Sequence, residues 1–337
     1  MRRIEIQGSF GLDRLAVAER PAPVAGPGQV VLRMWAAALN YRDLLTVEGR
    51  YNPRQPLPLV PCSDGVGEVM EVGAGVDRVR PGDRVLPIFA QRWIAGRPTR
   101  ERLRSTLGGP LDGTLAESIL VDAEGVVPAP AGLSDEQAAT LPCAGLTAWT
   151  ALAEHARVGP GDVVLVEGTG GVSLFALQIG QLLGARVIVT SSSEAKLERA
   201  RQLGAWATIH YTTTPEWGKE ARRLTGGEGV DAVVDVGGAA TLGQAIEAIR
   251  FGGCVCLVGN VTGNAHALQL PSVFMRQVRL QGVLVGSRES LEALVRAVAA
   301  CPFEPVVDRV FPFEAAREAL EHLESASHFG KICIRID

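Results

Sequence analysis

The sequence predicts an α/β protein in which a doubly wound parallel sheet follows a β-rich domain. Short apolar runs, each typical of a strand buried on both faces, alternate with segments of helical length. The runs cover residues 162–167, 185–190, 208–210, 230–235, 253–258 and 279–285. Such alternation is typical of a parallel sheet with helices on both faces. We therefore expect a second domain over residues 128–286.

A glycine-rich turn follows the first of these strands. Gly168 lets the chain turn tightly, and Gly170 lets backbone approach a pyrophosphate without a Cβ in the way. The apolar residues 174–183 then predict a helix whose free N–H groups face an anion. Ser173 stands where the G-x-G-x-x-G pattern has its third glycine, so an ordinary strand–turn–helix is the alternative. The pattern favours a dinucleotide site.

The end of the second strand indicates which dinucleotide is bound. NAD-binding units carry an acidic residue about 20 residues after the first glycine, where it accepts the ribose hydroxyls. Ser191 holds that place here, followed by Ser192, Ser193 and Lys196. Hydroxyls and a lysine suit an extra phosphate, so we predict NADPH in preference to NADH. The alternative is a serine that only caps a helix predicted over 194–204.

Composition excludes several classes of protein. The 337 residues are enough for two domains with substantial cores. A net charge of −4 without a basic block predicts no nucleic-acid partner. The N-terminus lacks the apolar run of a signal peptide, and no uninterrupted apolar stretch reaches membrane-spanning length. Six scattered cysteines without C-x-x-C predict free thiols, so a cytoplasmic protein is expected.

Residues 1–127 are predicted to be rich in strands separated by glycine and proline turns. The predicted strands are 3–7, 30–37, 65–72, 83–88 and 117–121. Residues 89–113, rich in arginine and glycine, predict a lobe over a cleft rather than part of the core. The run Pro128-Ala129-Pro130 marks the predicted boundary. Ser134 and Gln137 form a capping box, and a further helix is predicted over 143–156.

Five blocks of sequence carry a resemblance to a known family. In order they are Ala-Leu-Asn-Tyr-Arg-Asp at 38–43, Gly-Val-Gly-Glu-Val-Met-Glu-Val-Gly at 65–73, Val-Arg-Pro-Gly-Asp-Arg-Val at 79–85, Leu-Pro-Cys-Ala-Gly-Leu-Thr-Ala at 141–148, and the turn at 168–173. The chain resembles the medium-chain dehydrogenase/reductase superfamily, in particular its zinc-free quinone oxidoreductase-like branch. The resemblance implies a GroES-like catalytic domain over 1–127 and 287–337 and a Rossmann domain over 128–286.

The zinc chemistry of that superfamily is where this sequence departs from it. Zinc members offer a Cys, a His and a later Cys or acid, and these positions hold Asn40, Ser63 and Cys143 here. A tetrahedral Zn²⁺ site needs three protein ligands of nitrogen, sulfur or carboxylate type. Cys62 and Asp64 flank Ser63, and we expect them to point to other faces. The four-cysteine structural zinc lobe is also missing, so we predict no zinc.

Without a metal, hydride addition to a quinone or an activated C=C is easier than alcohol oxidation, because nothing lowers the alcohol's pKa. We therefore predict an NADPH-dependent reductase of quinones or α,β-unsaturated carbonyls, with a small-molecule substrate. Asn40 is predicted to donate to a substrate oxygen or to position the nicotinamide. Tyr51 is predicted to stack on a ring or donate a proton, the alternative being a surface tyrosine. Phe89 and Trp93 are expected to cover the pocket.

The resemblance also implies the residues that contact the cofactor. Thr147 is placed near the nicotinamide, the glycine turn at the pyrophosphate, the serines at the 2′-phosphate, and Lys331 near the phosphates unless it is a surface residue. The full set is Thr147, Gly168, Gly170, Gly171, Val172, Ser191, Ser192, Ser193, Lys196, Tyr211, Gly237, Gly259, Gly286, Ser287 and Lys331.

Three alternatives stay open. The chain could reduce enoyl thioesters, with the arginines of 92–104 as a basic mouth, or act as a zinc-free alcohol or aldehyde oxidoreductase. It could also be a non-enzymatic NADPH-binding protein that binds a partner or nucleic acid. The unprotected strand 279–285, with the resemblance, predicts a homodimer paired through that edge. No catalytic role is predicted for the histidines, which are His155, His210, His266, His322 and His328.

Overall fold

The computed structural model describes residues 1–265 and 267–336, so His266 lies outside the described residues. The chain forms two compact units. Unit 1 comprises Met1–Leu146 and Gly286–Asp337, and unit 2 comprises Thr147–Val285. The segment 128–146, predicted to open the second domain, lies in unit 1. Its acidic residues explain this, because Asp135 pairs with Arg84 at 2.6 Å and Glu136 pairs with Arg335 at 2.5 Å.

Strands dominate the chain up to Leu146. The elements are β1 (Arg2–Ile6), β2 (Leu15–Glu19), β3 (Gln29–Ala38), α1 (Tyr41–Val47), β4 (Asp64–Val72), β5 (Arg84–Pro87), α2 (Arg100–Leu103), β6 (Ser118–Asp122), β7 (Val126–Pro128) and α3 (Asp135–Ala139). Each strand predicted here is present to within one residue at either end. The strands β2 and β7 were not predicted, because both are short and neither has a clear apolar alternation. Ser134 and Gln137 form the predicted capping box at α3.

Strands and helices then alternate through unit 2. The elements are α4 (Leu146–Trp149), β8 (Val163–Glu167), α5 (Gly171–Leu182), β9 (Arg186–Ser191), α6 (Glu194–Gln202), β10 (Ala207–His210), α7 (Trp217–Leu224), β11 (Val230–Asp235), α8 (Leu242–Ala248), β12 (Ile249–Leu257), α9 (Leu270–Phe274) and β13 (Arg279–Gly282). The helix predicted over 143–156 is irregular. Wide π-helical turns at Leu141–Gly145 and Thr150–Ala156 flank α4, with Pro142 in the first of them.

The chain then returns to unit 1. The last elements are α10 (Arg288–Ala300), β14 (Val307–Pro312), α11 (Ala316–Glu324) and β15 (Lys331–Arg335). The strand β15 pairs antiparallel with β3, and Cys333 lies opposite Ala38. The strand β4 pairs with the other edge of β3, and Asp64 also lies opposite Ala38. Three segments distant in sequence therefore meet at the end of β3.

Two sheets organise the units. In unit 1, strands follow the order β14-β15-β3-β4-β5-β7, and β6 also pairs with β3. In unit 2, all pairs are parallel and the order is β10-β9-β8-β11-β12-β13. This is the doubly wound order 3-2-1-4-5-6, whose reversal of direction lies between β8 and β11. The predicted α/β class, with a β-rich first domain and a parallel sheet in the second, is confirmed.

The arginine-rich segment 89–113 is only partly the lobe that was predicted. Its two ends pair with each other, since the Leu107 N–H donates to the Phe89 carbonyl at 3.0 Å. Phe89, Trp93 and Leu107 are buried, and Leu107 belongs to the main apolar core of unit 1. The exposed residues are Arg92, most of 95–104 around α2, and 110–112. Elsewhere, none of the described helices has the length and apolar character to cross a membrane.

Candidate active site

The pairing of β15 with β3 brings Lys331 beside Asn40. The Leu39 N–H donates to the Ile332 carbonyl at 2.9 Å, which fixes the register at this point. The Lys331 ammonium donates to the Leu39 carbonyl and, at 2.6 Å, to Asn40 Oδ1. Lys331 is only 3% exposed. A buried ammonium stays charged only when it is paired and hydrogen-bonded, so Lys331 depends on these contacts for its charge.

Asp64 forms the acidic side of the same cluster. The Ser63 hydroxyl donates to Asp64 Oδ1 at 2.8 Å, and the Cys143 backbone N–H donates to Oδ2 at 3.2 Å. Burial raises the pKa of Asp64 to about 6, against the positive charge of Lys331 and hydrogen bonds from Asn40 and Ser63. Asp64 therefore titrates nearer neutrality than an ordinary aspartate.

A second buried carboxylate, Asp43, closes the cluster from α1. Asp43 Oδ2 accepts from the Asn40 N–H at 2.8 Å and from the Cys62 thiol at 3.7 Å. Burial raises the pKa of Asp43 and raises the pKa values of the Cys62 and Cys143 thiols. Both thiols are therefore held neutral. Cys62 also has φ of 77°, a conformation that side chains rarely adopt, and its carbonyl accepts from the Thr114 N–H at 3.0 Å.

These residues do not form a zinc ligand set. The Asn40 oxygen accepts from an ammonium and the Ser63 hydroxyl donates to Asp64, so Cys143 is the one ordinary zinc ligand among the three. Within residues 1–265 and 267–336, no group of three or more His, Cys, Asp or Glu side chains is arranged to hold a metal ion. A Zn²⁺ ion placed here would also be repelled by the positive charge of Lys331. The residues present do not fit a catalytic zinc ion.

Arg42 builds the wall beside this cluster. Its guanidinium lies between the rings of Tyr51 and Phe89, 5.0 Å from each centroid. It also donates to the carbonyls of Leu107 at 3.0 Å and Gly109 at 3.2 Å. Tyr51 is 48% exposed, and its ring makes a cation–π contact with Arg42. Phe89 is buried against Arg42, and the expectation that Phe89 and Trp93 cover the substrate pocket stays a prediction.

The glycine turn in unit 2 has the geometry expected of a dinucleotide site. Gly168 has φ of 73°, and Gly170 caps α5, with open space where its Cβ would stand. Ser173, in place of the third glycine, is buried, and its hydroxyl donates to the Glu167 carbonyl at 2.6 Å. The substitution thus fastens the start of α5 to the end of β8. The turn and the helix N-terminus leave room for an anion.

A pair of buried acids, Glu167 and Asp235, lies at the ends of β8 and β11, where the strand order reverses. Glu167 Oε2 accepts from the Gly237 N–H at 3.2 Å, and Asp235 Oδ1 accepts from the Gly238 N–H at 2.8 Å. Burial, then the neighbouring charge of Asp235, raises the pKa of Glu167 well above its usual value. Sequence reasoning missed this pair, although two acids ending adjacent strands were a visible signal.

The serines after β9 cap a helix, as the alternative interpretation expected. Ser191 is buried, and its hydroxyl accepts from the Ser193 N–H at 3.2 Å. The Ser193 hydroxyl accepts from the Lys196 N–H at 3.4 Å, at the start of α6. Ser192 is exposed. Their contact with a 2′-phosphate stays a prediction.

The structure distributes the other predicted residues over both units. Thr147 is buried in unit 2, and Tyr211 is 41% exposed after β10. Gly259 follows β12, as Gly237 follows β11. Gly286 and Ser287 lie in unit 1, and the Ser287 hydroxyl accepts from the Ser290 N–H at 3.2 Å as the cap of α10. Lys331 is buried, which excludes the surface position considered above.

The described histidines do not lie in the cluster around Asn40. His322, on α11, contacts Asp308 of β14 at 3.0 Å. That the histidines are not catalytic stays a prediction.

Comparison with known proteins places the chain in a family. Residues 26–131 match the alcohol dehydrogenase GroES-like domain, and residues 171–300 match the zinc-binding dehydrogenase domain. A zinc-type alcohol dehydrogenase-like protein of Schizosaccharomyces pombe is 42% identical over 335 residues, covering 97% of this chain and 96% of that protein. The chain belongs to the zinc-type alcohol dehydrogenase-like family. Its members are NAD(P)-dependent oxidoreductases of the medium-chain dehydrogenase/reductase superfamily.

Two further relatives show the range of this alcohol dehydrogenase-like family. A solved structure described as an NAD-dependent alcohol dehydrogenase is 39% identical, covers 100% of both chains and superposes with a TM-score of 0.90. An acryloyl-coenzyme A reductase of Metallosphaera sedula is 29% identical over 326 residues, covering 94% of this chain and 95% of that protein. None of these three relatives is a quinone oxidoreductase, so the predicted quinone oxidoreductase branch is not supported. This alcohol dehydrogenase-like chain nevertheless lacks a donor set that fits zinc.

Glu167→Gln is expected to remove a pH-dependent loss of stability. A carboxyl group whose pKa is raised by folding stabilises the fold fully below its unfolded pKa and loses that contribution as pH rises through the folded value. Glutamine still accepts from Gly237 but does not ionise. From about pH 5 to about pH 9, the free energy of unfolding of the variant should rise relative to wild type by ~1–3 kcal/mol, measured by urea unfolding.

Glu124→Gln is the matched control, because a hydrogen bond from Arg288 lowers the pKa of that exposed carboxylate. It should show no such rise. If the free energies of unfolding of wild type and Glu167→Gln change in parallel with pH, the account of the buried acid pair is wrong.

Proposed function

We propose that this chain is a zinc-independent reductase that transfers hydride from NADPH to the C=C bond of an α,β-unsaturated carbonyl, with an enoyl thioester as the preferred class. The observation that carries the proposal is the cluster at the family's metal position. There the Asn40 oxygen accepts from the Lys331 ammonium, and the Ser63 hydroxyl and the Cys143 backbone N–H both donate to Asp64. The site thus offers hydrogen bonds and one fixed charge in place of a Lewis acid.

Conjugate reduction suits such a site better than alcohol oxidation does. Hydride forms a C–H bond at the β-carbon, NADPH becomes NADP⁺, and the C=C electron pair moves to give an enolate, which takes a proton at the α-carbon. The developing charge is spread over the carbonyl, so one hydrogen-bond donor stabilises it substantially. We assign that donor to the Asn40 amide, and the proton to Tyr51, whose hydroxyl is partly exposed. Alcohol oxidation would require a lowered alcohol pKa, which a metal ordinarily supplies.

Two further observations support a thioester. One relative covering nearly the whole chain is named as an acryloyl-coenzyme A reductase. The lobe of unit 1 also exposes arginines that suit the phosphates of coenzyme A. These are Arg92, Arg97, Arg100 and Arg104. The second candidate function is alcohol or aldehyde oxidoreduction without zinc. The names of the other two relatives favour alcohol oxidoreduction, and one of them is named zinc-type.

A substrate panel on metal-analysed protein tests the proposal. We expect NADPH oxidation with acryloyl-CoA and crotonyl-CoA, a higher KM with a simple enone, and unchanged rates after treatment with a zinc chelator. Alcohols with NADP⁺ should react at least about a hundredfold more slowly, since nothing assists their deprotonation. Stoichiometric zinc with loss of activity on its removal would contradict the proposal. Tight NADPH binding without any turnover would favour a non-enzymatic dinucleotide-binding protein.

The proposed cofactor preference rests on the end of β9. No carboxylate occupies the position of Ser191, where an NAD-specific acid would accept the ribose hydroxyls. Ser192 is exposed next to it, and Lys196 lies one turn into α6. These groups favour the 2′-phosphate of NADPH. The description of one relative as NAD-dependent points the other way, so the preference needs its own measurement.

Ser192→Asp should weaken NADPH binding, because a carboxylate beside the 2′-phosphate repels that phosphate. Ser191 is not the position to change, because it is buried and its replacement would disturb the cap of α6. Lys196→Ala should weaken NADPH by about tenfold to a hundredfold through loss of a charge-assisted hydrogen bond. Fluorescence titration with both dinucleotides measures this, and Lys219→Ala, an exposed lysine paired with Glu216, is the control. An unchanged ratio of NADPH to NADH affinity in both variants would refute the preference.

We also propose a homodimer paired through β13, the edge strand of the unit 2 sheet. An uncovered edge presents unpaired N–H and C=O groups, and a two-fold axis lets the same strand of a second copy satisfy them. Large apolar side chains are exposed beside this edge, with Leu270, Phe274 and Met275 each more than 60% exposed. A second copy would cover them.

Phe274→Asp with Met275→Asp should convert the dimer to a monomer that still binds NADPH, because two charges would be buried at the interface. Val24→Asp, at an apolar residue that is 73% exposed in unit 1, is the matched control and should remain dimeric. Light scattering at micromolar concentration measures the mass. A monomeric wild type, or a double variant that stays dimeric, would exclude this interface.

A further inference from the structure

We infer that Lys331 is a positioning residue: its buried ammonium orients and polarises Asn40, and so supplies the fixed positive charge that a metal supplies in zinc-dependent relatives. The inference rests on the proposed function. It also differs from the role implied by resemblance, in which Lys331 approaches the cofactor phosphates.

The ammonium has a defined place in the cluster. It is 3% exposed and donates to the Leu39 carbonyl and to Asn40 Oδ1. Its charge lowers the pKa values of the buried Asp64 and Asp43 carboxyls, opposing the effect of burial. Two buried acids thus face two buried cations, Lys331 and Arg42. Such a balance is required for charged groups this far from water.

The contact with Lys331 determines which way the Asn40 amide points. An ammonium has only donors, so the amide oxygen must face Lys331 and the amide nitrogen must face away. Asn40 Nδ2 makes a long contact of 3.4 Å with the Ala38 carbonyl, and the Asn40 side chain also donates to the Asp64 carboxyl. Asn40 is also only partly buried, in contrast to Lys331 and Asp64. We assign to its N–H groups the contact with a substrate oxygen, which would replace the long contact with the Ala38 carbonyl.

The same contact strengthens that donor. A cation on the amide oxygen polarises the amide and makes its N–H groups better donors, and the effect is larger where water is excluded. Lys331 thereby acts on the enolate oxygen through Asn40 without touching the substrate. Without Lys331 the amide oxygen loses its fixed donor, and the Asp64 carboxylate loses its countercharge.

A double-mutant cycle tests the inference. Lys331→Met should lower kcat for crotonyl-CoA by about tenfold to a hundredfold, with the Kd for NADPH changed by less than about threefold. Lys331→Met combined with Asn40→Ala should be no slower than Asn40→Ala alone, because the lysine acts through the asparagine. Lys331→Arg should restore part of the rate. Lys219→Met is the control for loss of a lysine outside the site.

Several outcomes would overturn the inference. A weaker Kd for NADPH with unchanged kcat would make Lys331 a phosphate contact. Rate losses that multiply in the double variant would make the two residues independent. If Lys331→Met does not fold, adding Asp64→Asn removes the uncompensated carboxylate, and the cycle is measured in that background. If no enoyl substrate reacts, the proposed function is wrong, and the positioning role is then tested by stability instead of rate. Shifts of the unfolding midpoint that are additive in the same double-mutant cycle would overturn the positioning role.

Discussion

The hydrogen bond from the Lys331 ammonium to Asn40 is the contact on which the candidate site depends. The two residues lie 291 positions apart and meet because β15 pairs with β3. That pairing places a buried charge next to Asp64, whose own position follows from the pairing of β4 with the other edge of β3. The site is thus a product of one sheet. A change in the register of either strand would separate the charges and leave each of them buried without a partner.

The family to which the chain belongs is named for zinc, yet the chain keeps the family's fold with a different donor set. The Asn40 oxygen accepts from Lys331 and the Ser63 hydroxyl donates to Asp64, which leaves Cys143 as the one ordinary zinc ligand at the three positions. A fixed ammonium and an oriented amide provide a weaker electrostatic stabilisation than Zn²⁺ does. Under the proposed function, this weaker stabilisation serves a reaction in which conjugation already spreads the charge, whereas a reaction that must ionise an alcohol would need more. The donor set therefore bears on the choice of substrate class more directly than the fold does.

The sequence predicted the architecture well because strand periodicity and glycine turns are local signals. The parallel sheet, the cofactor turn and the loss of the usual zinc ligands were all visible in it. The burial of Lys331 was not, because it depends on pairing between the two ends of the chain. The buried pair of Glu167 and Asp235 was missed for a different reason, since each acid alone looks like an ordinary residue at a strand end and only the strand order brings the two together. The segment 89–113 was misjudged because its arginines suggested exposure, whereas its ends pair and pack into the core.

Anomalous diffraction at the zinc edge, from crystals grown with excess zinc, would test most directly whether an ammonium has taken the metal's place. The account predicts no anomalous peak between Asn40, Ser63 and Cys143, and density for the Lys331 side chain ending at the Asn40 oxygen. An anomalous peak within ligand distance of Cys143 and Asp64, with Lys331 displaced from Asn40, would contradict it.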